Sequence, residues 1–301
     1  MIDARARPPQ TAAGRRLPPW LKRPLVASPV AQRLEKSLLD GGLHTVCAEA
    51  KCPNRSECFG RGTATFLILG NICTRSCGFC GIAHGSPQPV DKDEPRRVVE
   101  AIARMGITHA VVTSVTRDDL ADGGAGVFAE IIGIIRQELP RVSVEVLVPD
   151  FGGNPEALGL VLGARPHVFN HNVETVPRLY PAVRPQAQYR RSLEILARAA
   201  GRGADPRVKS GLMVGLGETT EEVHRVLADM RAAGCGMVTI GQYLRPSKSQ
   251  VGVAEFIAPQ QFAAYRTFAL GLDFAEVSSG PFVRSSYRAG EMVREPKQRG
   301  G

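Results

Sequence analysis

Six of the chain's seven cysteines lie between Cys47 and Cys80, and their spacing is the first sign of chemistry. The run Cys73-Thr74-Arg75-Ser76-Cys77-Gly78-Phe79-Cys80 spaces three thiols as C-x3-C-x2-C. A tetrahedral zinc site takes four ligands, usually from two C-x2-C pairs, whereas three thiolates on an iron–sulfur cubane leave one iron without a protein ligand. An iron with an open position can chelate a small molecule, and a cluster that passes one electron can cleave it. Cys47, Cys52 and Cys58 make a second triplet, C-x4-C-x5-C, separated from Cys73 by 14 residues. Taken alone, that second spacing suits metal sites of many kinds. A zinc-stabilised loop using Cys77, Cys80 and two upstream cysteines is the plainer reading, but it leaves the remaining thiols without a task. Cys235 stands apart and reads as a small buried residue.

Such a loop needs a scaffold. From about residue 63 the chain alternates short β-branched runs with helix-like segments, the pattern of βα units and a parallel sheet. Strands are expected at 65–69, 110–113, 142–148, 167–170, 208–213 and 237–240, with helices at 95–105, 128–138, 154–162, 189–200, 220–233 and 259–271. Asn154-Pro155 pairs a capping side chain with a proline in the first turn, and Thr219 or Thr220 before Glu222 forms a capping-box pattern. Six strands and six helices imply an α/β fold, a partial (β/α)6 TIM-type barrel. In such barrels the chemistry gathers at the C-terminal ends of the strands. Cys73 follows the first strand and the Gly70-Asn71 turn, where a reactive centre would be built; Gly78 and Gly81 would relieve crowding as the loop wraps a cluster.

The C-x3-C-x2-C run after the first strand, closing on an aromatic–Cys pair, resembles the radical S-adenosylmethionine (SAM) superfamily. The pair of triplets, C-x4-C-P-N-x3-C followed by C-T-R-x-C-x-F-C, resembles the lipoyl synthase family more narrowly. The leader Arg15-Arg16-Leu17-Pro18-Pro19-Trp20-Leu21-Lys22 and the closing Gly280-Pro281-Phe282-Val283-Arg284-Ser285-Ser286-Tyr287 agree with it. The likeness runs from about residue 17 to 290. It divides the chain into a basic, proline-rich arm (1–30), an N-terminal extension with the upstream cysteines (31–62), a radical SAM core (63–272) and a C-terminal extension with the R-S-S-Y motif (273–301).

The resemblance implies two [4Fe-4S] clusters and SAM as cofactors. Cys73, Cys77 and Cys80 would hold the cluster whose unique iron binds the amino and carboxylate groups of SAM and whose electron releases a 5′-deoxyadenosyl radical. Cys47, Cys52 and Cys58 would hold an auxiliary cluster with Ser286 as fourth ligand. A hydroxyl oxygen is a poor match for iron in sulfur surroundings, so that corner would be weakly held and suited to dismantling. Ser285 would point the other way if the segment is extended. The implied reaction places sulfur at C6 and C8 of an octanoyl chain on a carrier lysine, one SAM per insertion, with the auxiliary cluster as sulfur donor. Implied partners are the lipoyl domains of 2-oxoacid dehydrogenase E2 subunits, the glycine-cleavage H protein and a one-electron reductant such as ferredoxin or flavodoxin.

Residues that hold SAM are expected at strand ends: Thr113 and Ser114, then Asn170, His171 and Glu174, then Arg184, Lys209, Gln242 and Tyr243. Glu174 could bond a ribose diol, and Arg184 or Lys209 could pair the methionine carboxylate. Asp118, Asp119 and Asp122 read as a loop shaping the cofactor site or as a solvated turn. Gly215-Leu216-Gly217-Glu218 lacks the Gly-Lys-Ser/Thr ending of a phosphate loop. His84 either lines the cluster or ends its loop.

The formal charge of +9 is uneven. Arg5, Arg7, Arg15, Arg16, Lys22 and Arg23 stand against one acid, Asp3, in the first 30 residues, among six prolines. That arm reads as extended and either solvated or in contact with an acidic partner. No apolar run reaches membrane-span length and no secretory core is present, so a cytoplasmic enzyme with neither membrane nor nucleic-acid partner is expected. Two rival readings remain: an RNA methylthiotransferase, which would need a further N-terminal domain and an RNA-binding tail, and a ferredoxin-like or zinc module, which would need a fourth thiolate beside Cys73, Cys77 and Cys80.

Overall fold

The computed structural model describes residues 16–22, 32, 36, 38, 41–49, 52, 54, 57–58, 64–203 and 205–293. Most of the expected arm, and much of the 31–62 segment, lies outside them. Among the described residues there are ten strands: β1 His44–Thr45, β2 Thr65–Ile68, β3 Ile72–Cys73, β4 Ala83–His84, β5 His109–Ser114, β6 Ser143–Leu147, β7 Val168–Asn170, β8 Arg207–Val214, β9 Met237–Gln242 and β10 Glu276–Gly280. Eight of them make one sheet in the order β1-β2-β5-β6-β7-β8-β9-β10. Every pair from β2 to β10 is parallel, and β1 runs antiparallel along the free edge of β2. The sheet is an open, partial barrel. β3 and β4 form a separate two-stranded parallel pair that carries Cys73 and His84.

The helices between strands follow their sequence signals. Helix Pro155–Gly163 is capped by Asn154, whose side chain accepts from the Glu156 and Ala157 amides, and Thr219 with Glu222 completes a capping box for Thr220–Ala232. Helix Ala125–Glu138 turns Phe128, Ile131, Ile132 and Ile135 onto the sheet, the i, i+3, i+4, i+7 stripe of a helix that covers a core. It begins three residues earlier than expected because Gly124 takes up a left-handed conformation (φ 87°) that ends the preceding loop. Helices Glu94–Arg104, Tyr189–Ala200 and Pro259–Gly271 complete the outer layer. Among the described residues no helix is long and apolar enough to cross a membrane.

Six strands were expected, and β10 makes a seventh parallel one. Glu-Val-Ser-Ser-Gly reads as a polar turn, yet it pairs with β9 in register from Glu276↔Met237 to Gly280↔Gly241. The segment 273–301 therefore contributes to the barrel itself. Beyond β10 the chain packs tightly on the sheet: a Cβ at Gly241 would stand 2.1 Å from the Val283 carbonyl, so only glycine fits there. Helix Ala289–Val293 then closes the opposite mouth, with Met292 buried against Val168 and Met237 at the starts of β7 and β9. Arg207 Nη2 fastens it by donating to the Val293 carbonyl at 2.7 Å.

Inside the barrel, below the strand ends, lies a charged floor. Lys209 Nζ donates to Glu145 Oε1 at 2.9 Å, both side chains being fully buried. Asn170 Nδ2 donates to the same oxygen and His109 Nε2 lies 3.3 Å from the other. Burial alone would raise Glu145, but Lys209 and His109 outweigh it and hold the carboxyl at about 2.

Candidate functional site

The C-x3-C-x2-C loop leaves β2 at its C-terminal end and is pinned on several sides. Glu94 Oε2 accepts the Leu69 amide at 2.7 Å, fixing the exit from β2. Gly78 N donates to the Val183 carbonyl (2.9 Å), and the Gly78 carbonyl accepts Val251 N (2.8 Å). A Cβ at Gly78 would meet Ala182 O and Val251 Cγ1 at 2.9 Å each. The crowding that demands glycine here thus comes from the short helix Tyr180–Val183 and from Val251. Cys73 Sγ accepts the Arg75 and Thr116 amides at 3.4 and 3.3 Å, and Cys80 Sγ accepts Ile82 N at 3.5 Å. Burial raises the Cys77 thiol and pushes Cys80 up to about 12, so burial favours the protonated form of both.

Arg75, buried at 8 % exposure, is the loop's chief anchor. Its Nε and Nη2 donate to the two oxygens of Asp118 (both 2.7 Å), and Nη2 also reaches Asp150 Oδ1 at 2.7 Å. Arg191 holds the other Asp150 oxygen at 3.2 Å. The acidic run is therefore a set of anchors: Asp118 ties the cysteine loop to the β5 loop, Asp119 pairs Arg117, and Asp122 accepts the Gly124 and Gly126 amides. Burial works to raise Asp150, but Arg75 outweighs it and holds the carboxyl at about 2. Replacing Arg75 with leucine leaves Asp150 with Arg191 and the Gly152 amide, and a loss of about 2 kcal/mol is expected, read as a melting point lower by roughly 5 °C. In Arg75→Leu/Asp150→Asn, thermal melting should recover part of the loss.

Two adjoining cavities open at the strand ends. The smaller, about 220 Å³, is walled by Cys73, Cys77 and Cys80 together with Ser114, Asn172, Glu174 and Arg184. The larger, about 370 Å³, is walled by Cys47, Cys52, Thr65, Ser285 and Ser286 and by apolar groups of Leu147, Leu212 and Val283. Cys80, Asn172 and Glu174 belong to both walls. Among the described residues no three His, Cys, Asp or Glu side chains converge on a point that a single metal ion could fill; the three thiols of the first triplet are spread around a cavity.

The expected SAM contacts divide into two groups. Ser114, Glu174 and Arg184 line the smaller cavity, and Ser114 Oγ, Arg184 Nε and the Asn172 carbonyl oxygen Oδ1 are buried there without a hydrogen-bond partner. Unsatisfied buried polar atoms facing a cavity mark places where a polar ligand completes the bonding. Arg184 Nη1 is held by the Asn172 and Val173 carbonyls (3.1 and 3.0 Å), and burial raises Glu174 although Arg184 pulls it down. Thr113 also lines the cavity, but its hydroxyl donates to the Leu147 carbonyl at 2.6 Å. His171 bonds the Val148 carbonyl and Ser192, and burial lowers it to about 4, leaving a neutral ring.

Asn170 and Lys209 are placed elsewhere, on the charged floor with Glu145, because their strand positions face the barrel interior below the ligand level. Gln242 lines the larger cavity with its amide fully used: Nε2 donates to the Val214, Tyr243 and Glu255 carbonyls, and Oε1 accepts Ile257 N. Tyr243 Oη donates to the Val251 carbonyl. Glu218 fills its own glycine-flanked nest by accepting the Gly215 and Leu216 amides. Cys235 is fully buried and His84 sits exposed on the rim of the smaller cavity. Asn172 was not anticipated.

The C-terminal motif and the second triplet meet over the larger cavity. Asn54 Nδ2 donates to the Phe282 carbonyl at 2.6 Å, and Glu57 Oε1 accepts from Tyr287 Oη (2.9 Å) and Arg288 Nη2 (3.1 Å). Cys58 N donates to the Asn54 carbonyl, which places Cys58 one turn from that contact. The two serines diverge: Thr65 Oγ1 donates to Ser286 Oγ at 2.8 Å, whereas Asn172 Nδ2 donates to Ser285 Oγ at 2.6 Å.

Comparison with known proteins agrees with this architecture. The radical SAM superfamily matches residues 67–230. In fold, the chain is similar to methylornithine synthase (TM-score 0.53, 14% identity, 84% of this chain and 79% of that one) and to the FeFe-hydrogenase maturase HydG from Carboxydothermus hydrogenoformans (TM-score 0.53, 16% identity, 76% and 65%). In sequence it is 52% identical over 283 residues to the lipoyl synthase of Rubrobacter xylanophilus, covering 93% of this chain and 88% of that protein. It is 55% identical over 276 residues to the lipoyl synthase of Caldanaerobacter subterraneus subsp. tengcongensis, covering 91% and 96%. With a radical SAM barrel, two cysteine triplets and relatives of this closeness over nearly its whole length, the chain belongs to the lipoyl synthase family of radical SAM enzymes.

Proposed function

We propose that the chain works as its family does, as a sulfurtransferase that inserts two sulfur atoms, at C6 and C8, into an octanoyl chain carried on a protein lysine. The observation that carries this reading is the pair of cavities, the smaller walled by Cys73, Cys77 and Cys80 and the larger by Cys47 and Cys52, sharing Cys80, Asn172 and Glu174. Cys73, Cys77 and Cys80 would hold a cluster, and Ser114, Glu174, Arg184 and Asn172 would hold SAM beside it, their unpartnered buried atoms fitting a ligand with both charged and hydroxyl groups. When bound, that pair supplies a carbon radical, which breaks an unactivated C–H bond where no base could. Cys47, Cys52, Cys58 and Ser286 would hold an auxiliary cluster, consumed as the sulfur-donating substrate.

The chain's own part is positioning and exclusion of water. Leu147, Leu212 and Val283 give the larger cavity apolar wall on which an acyl chain gains about 0.8 kcal/mol per buried methylene. Asn172 bonds Glu174 (3.0 Å) on the SAM side and Ser285 on the other, so one side chain sets the spacing of the two sites. Arg184, packed beneath the Asn172 carbonyl, keeps a cation where a carboxylate would lie. The acyl carriers would be E2 lipoyl domains and the glycine-cleavage H protein, the reductant a ferredoxin or flavodoxin, and the compartment the cytoplasm.

The test is anaerobic reconstitution followed by incubation with SAM, reductant and an octanoyl-lysine peptide. About eight irons per chain, as two cubanes, and a lipoyl product by mass spectrometry are expected. Zinc in place of iron, or a single cluster, would overturn the reading.

A further inference from the structure

Resting on that reading, we propose that the basic turn 244–250 is the docking rim on which the acyl-carrier protein sets an acidic surface flanking its octanoyl-lysine. A cavity of about 370 Å³ admits an acyl-lysine arm but no folded domain, so the carrier body rests on the mouth. The acylated lysine is an uncharged amide, and any electrostatic recognition must therefore come from its neighbours on the carrier. Leu244, Arg245 and Pro246 follow β9 directly into the wall of the cavity, and Lys248 stands exposed at the tip of the turn.

The turn is held together without help from any described acid. Arg245 Nε donates to the Gln250 carbonyl at 2.8 Å and its Nη2 to the Lys248 carbonyl. Ser247 Oγ donates to Gln250 Oε1 at 2.7 Å. At its far end Val251 is fixed twice, to Tyr243 Oη and to Gly78 in the cysteine loop. Arg245 thus satisfies its guanidinium on backbone carbonyls, and no described carboxylate pairs with Lys248. Arg245 lines the wall of the larger cavity and is itself exposed. Arg245 and Lys248, two cations with no described carboxylate partner on a stiff support beside the cavity, are complementary to acidic side chains, and such rims chiefly set encounter rate and register.

The experiment compares an octanoylated carrier domain with a short octanoyl-lysyl peptide as substrates for the reconstituted enzyme. Lys248→Glu, at an exposed position outside the cavity wall, is expected to lower kcat/KM for the carrier about fivefold at low salt, mainly through KM. It should leave the peptide unchanged and flatten the salt dependence of the carrier reaction. Lys248→Arg should behave as the wild type on both. Equal losses on the two substrates, or no change with the carrier, would overturn the docking rim. If the wild type thiolates neither substrate, the functional reading itself fails and the rim with it.

Discussion

Replacing Cys47, Cys52 and Cys58 together with alanine is expected to reduce sulfur insertion to background while SAM is still cleaved to 5′-deoxyadenosine. The separation follows from geometry. The first triplet is held by Arg75, Asp118, Asp150 and Gly78. The second triplet stands instead against the C-terminal motif, through Asn54 on Phe282 and Glu57 on Tyr287. Removing its thiols should lower bound iron from about eight to about four per chain and leave the smaller cavity intact. Alanine at Cys73, Cys77 and Cys80 should abolish both products. Iron analysis and chromatography of the nucleoside check the first pair of outcomes. Thiolated product from the upstream triple variant would show that the donor lies elsewhere.

Lys209→Met is expected to be the most destabilising single change in the barrel interior. The fully buried Glu145 would lose its 2.9 Å partner and keep only Asn170 and His109, leaving a poorly compensated charge. Breaking such a pair costs about 3–5 kcal/mol, here a melting point lower by roughly 10 °C. Removing both charges in Glu145→Leu/Lys209→Met should recover much of that. The pH dependence gives a second signature. In the wild type Glu145 titrates at about 2, below its ordinary 4.5, so its contribution is complete above the ordinary value and is lost as pH falls toward 2. In Lys209→Met the same carboxyl titrates above its ordinary value, so acidification relieves the variant. The gap in melting temperature should narrow as pH falls toward about 4.

The barrel was legible because its strands are runs such as Ala-Val-Val-Thr and its helices carry explicit caps at Asn154 and Thr219. β10 was not, since Glu276, Ser278 and Ser279 look like a turn until β9 offers them a register. The first cysteine triplet was legible as a reactive loop from its spacing and its place after a strand, and the structure sets its three thiols in the wall of the smaller cavity. The polar residues on strands were not, because spacing does not say at which level of a barrel a side chain points inward. Lys209 and Asn170 have the chemistry to bind a cofactor, and they meet Glu145 first. Arg75 and Asn172 went unnoticed for the opposite reason: their partners, Asp150 and Ser285, lie 75 and 113 residues away, beyond any local pattern.

The contacts of Phe282, Ser286 and Tyr287 with Asn54, Thr65 and Glu57 span 221 to 230 residues of sequence. A ribosome delivers the cysteines of the larger cavity early and the wall that faces them only after every barrel strand has been made. During synthesis those thiols stand without their serine side, and the compartment takes shape when the last strand is already in place. Release of the C-terminal segment is therefore the event that turns an open groove into an enclosed one, and a chain stopped short of Phe282 would present a complete first triplet beside an unroofed second.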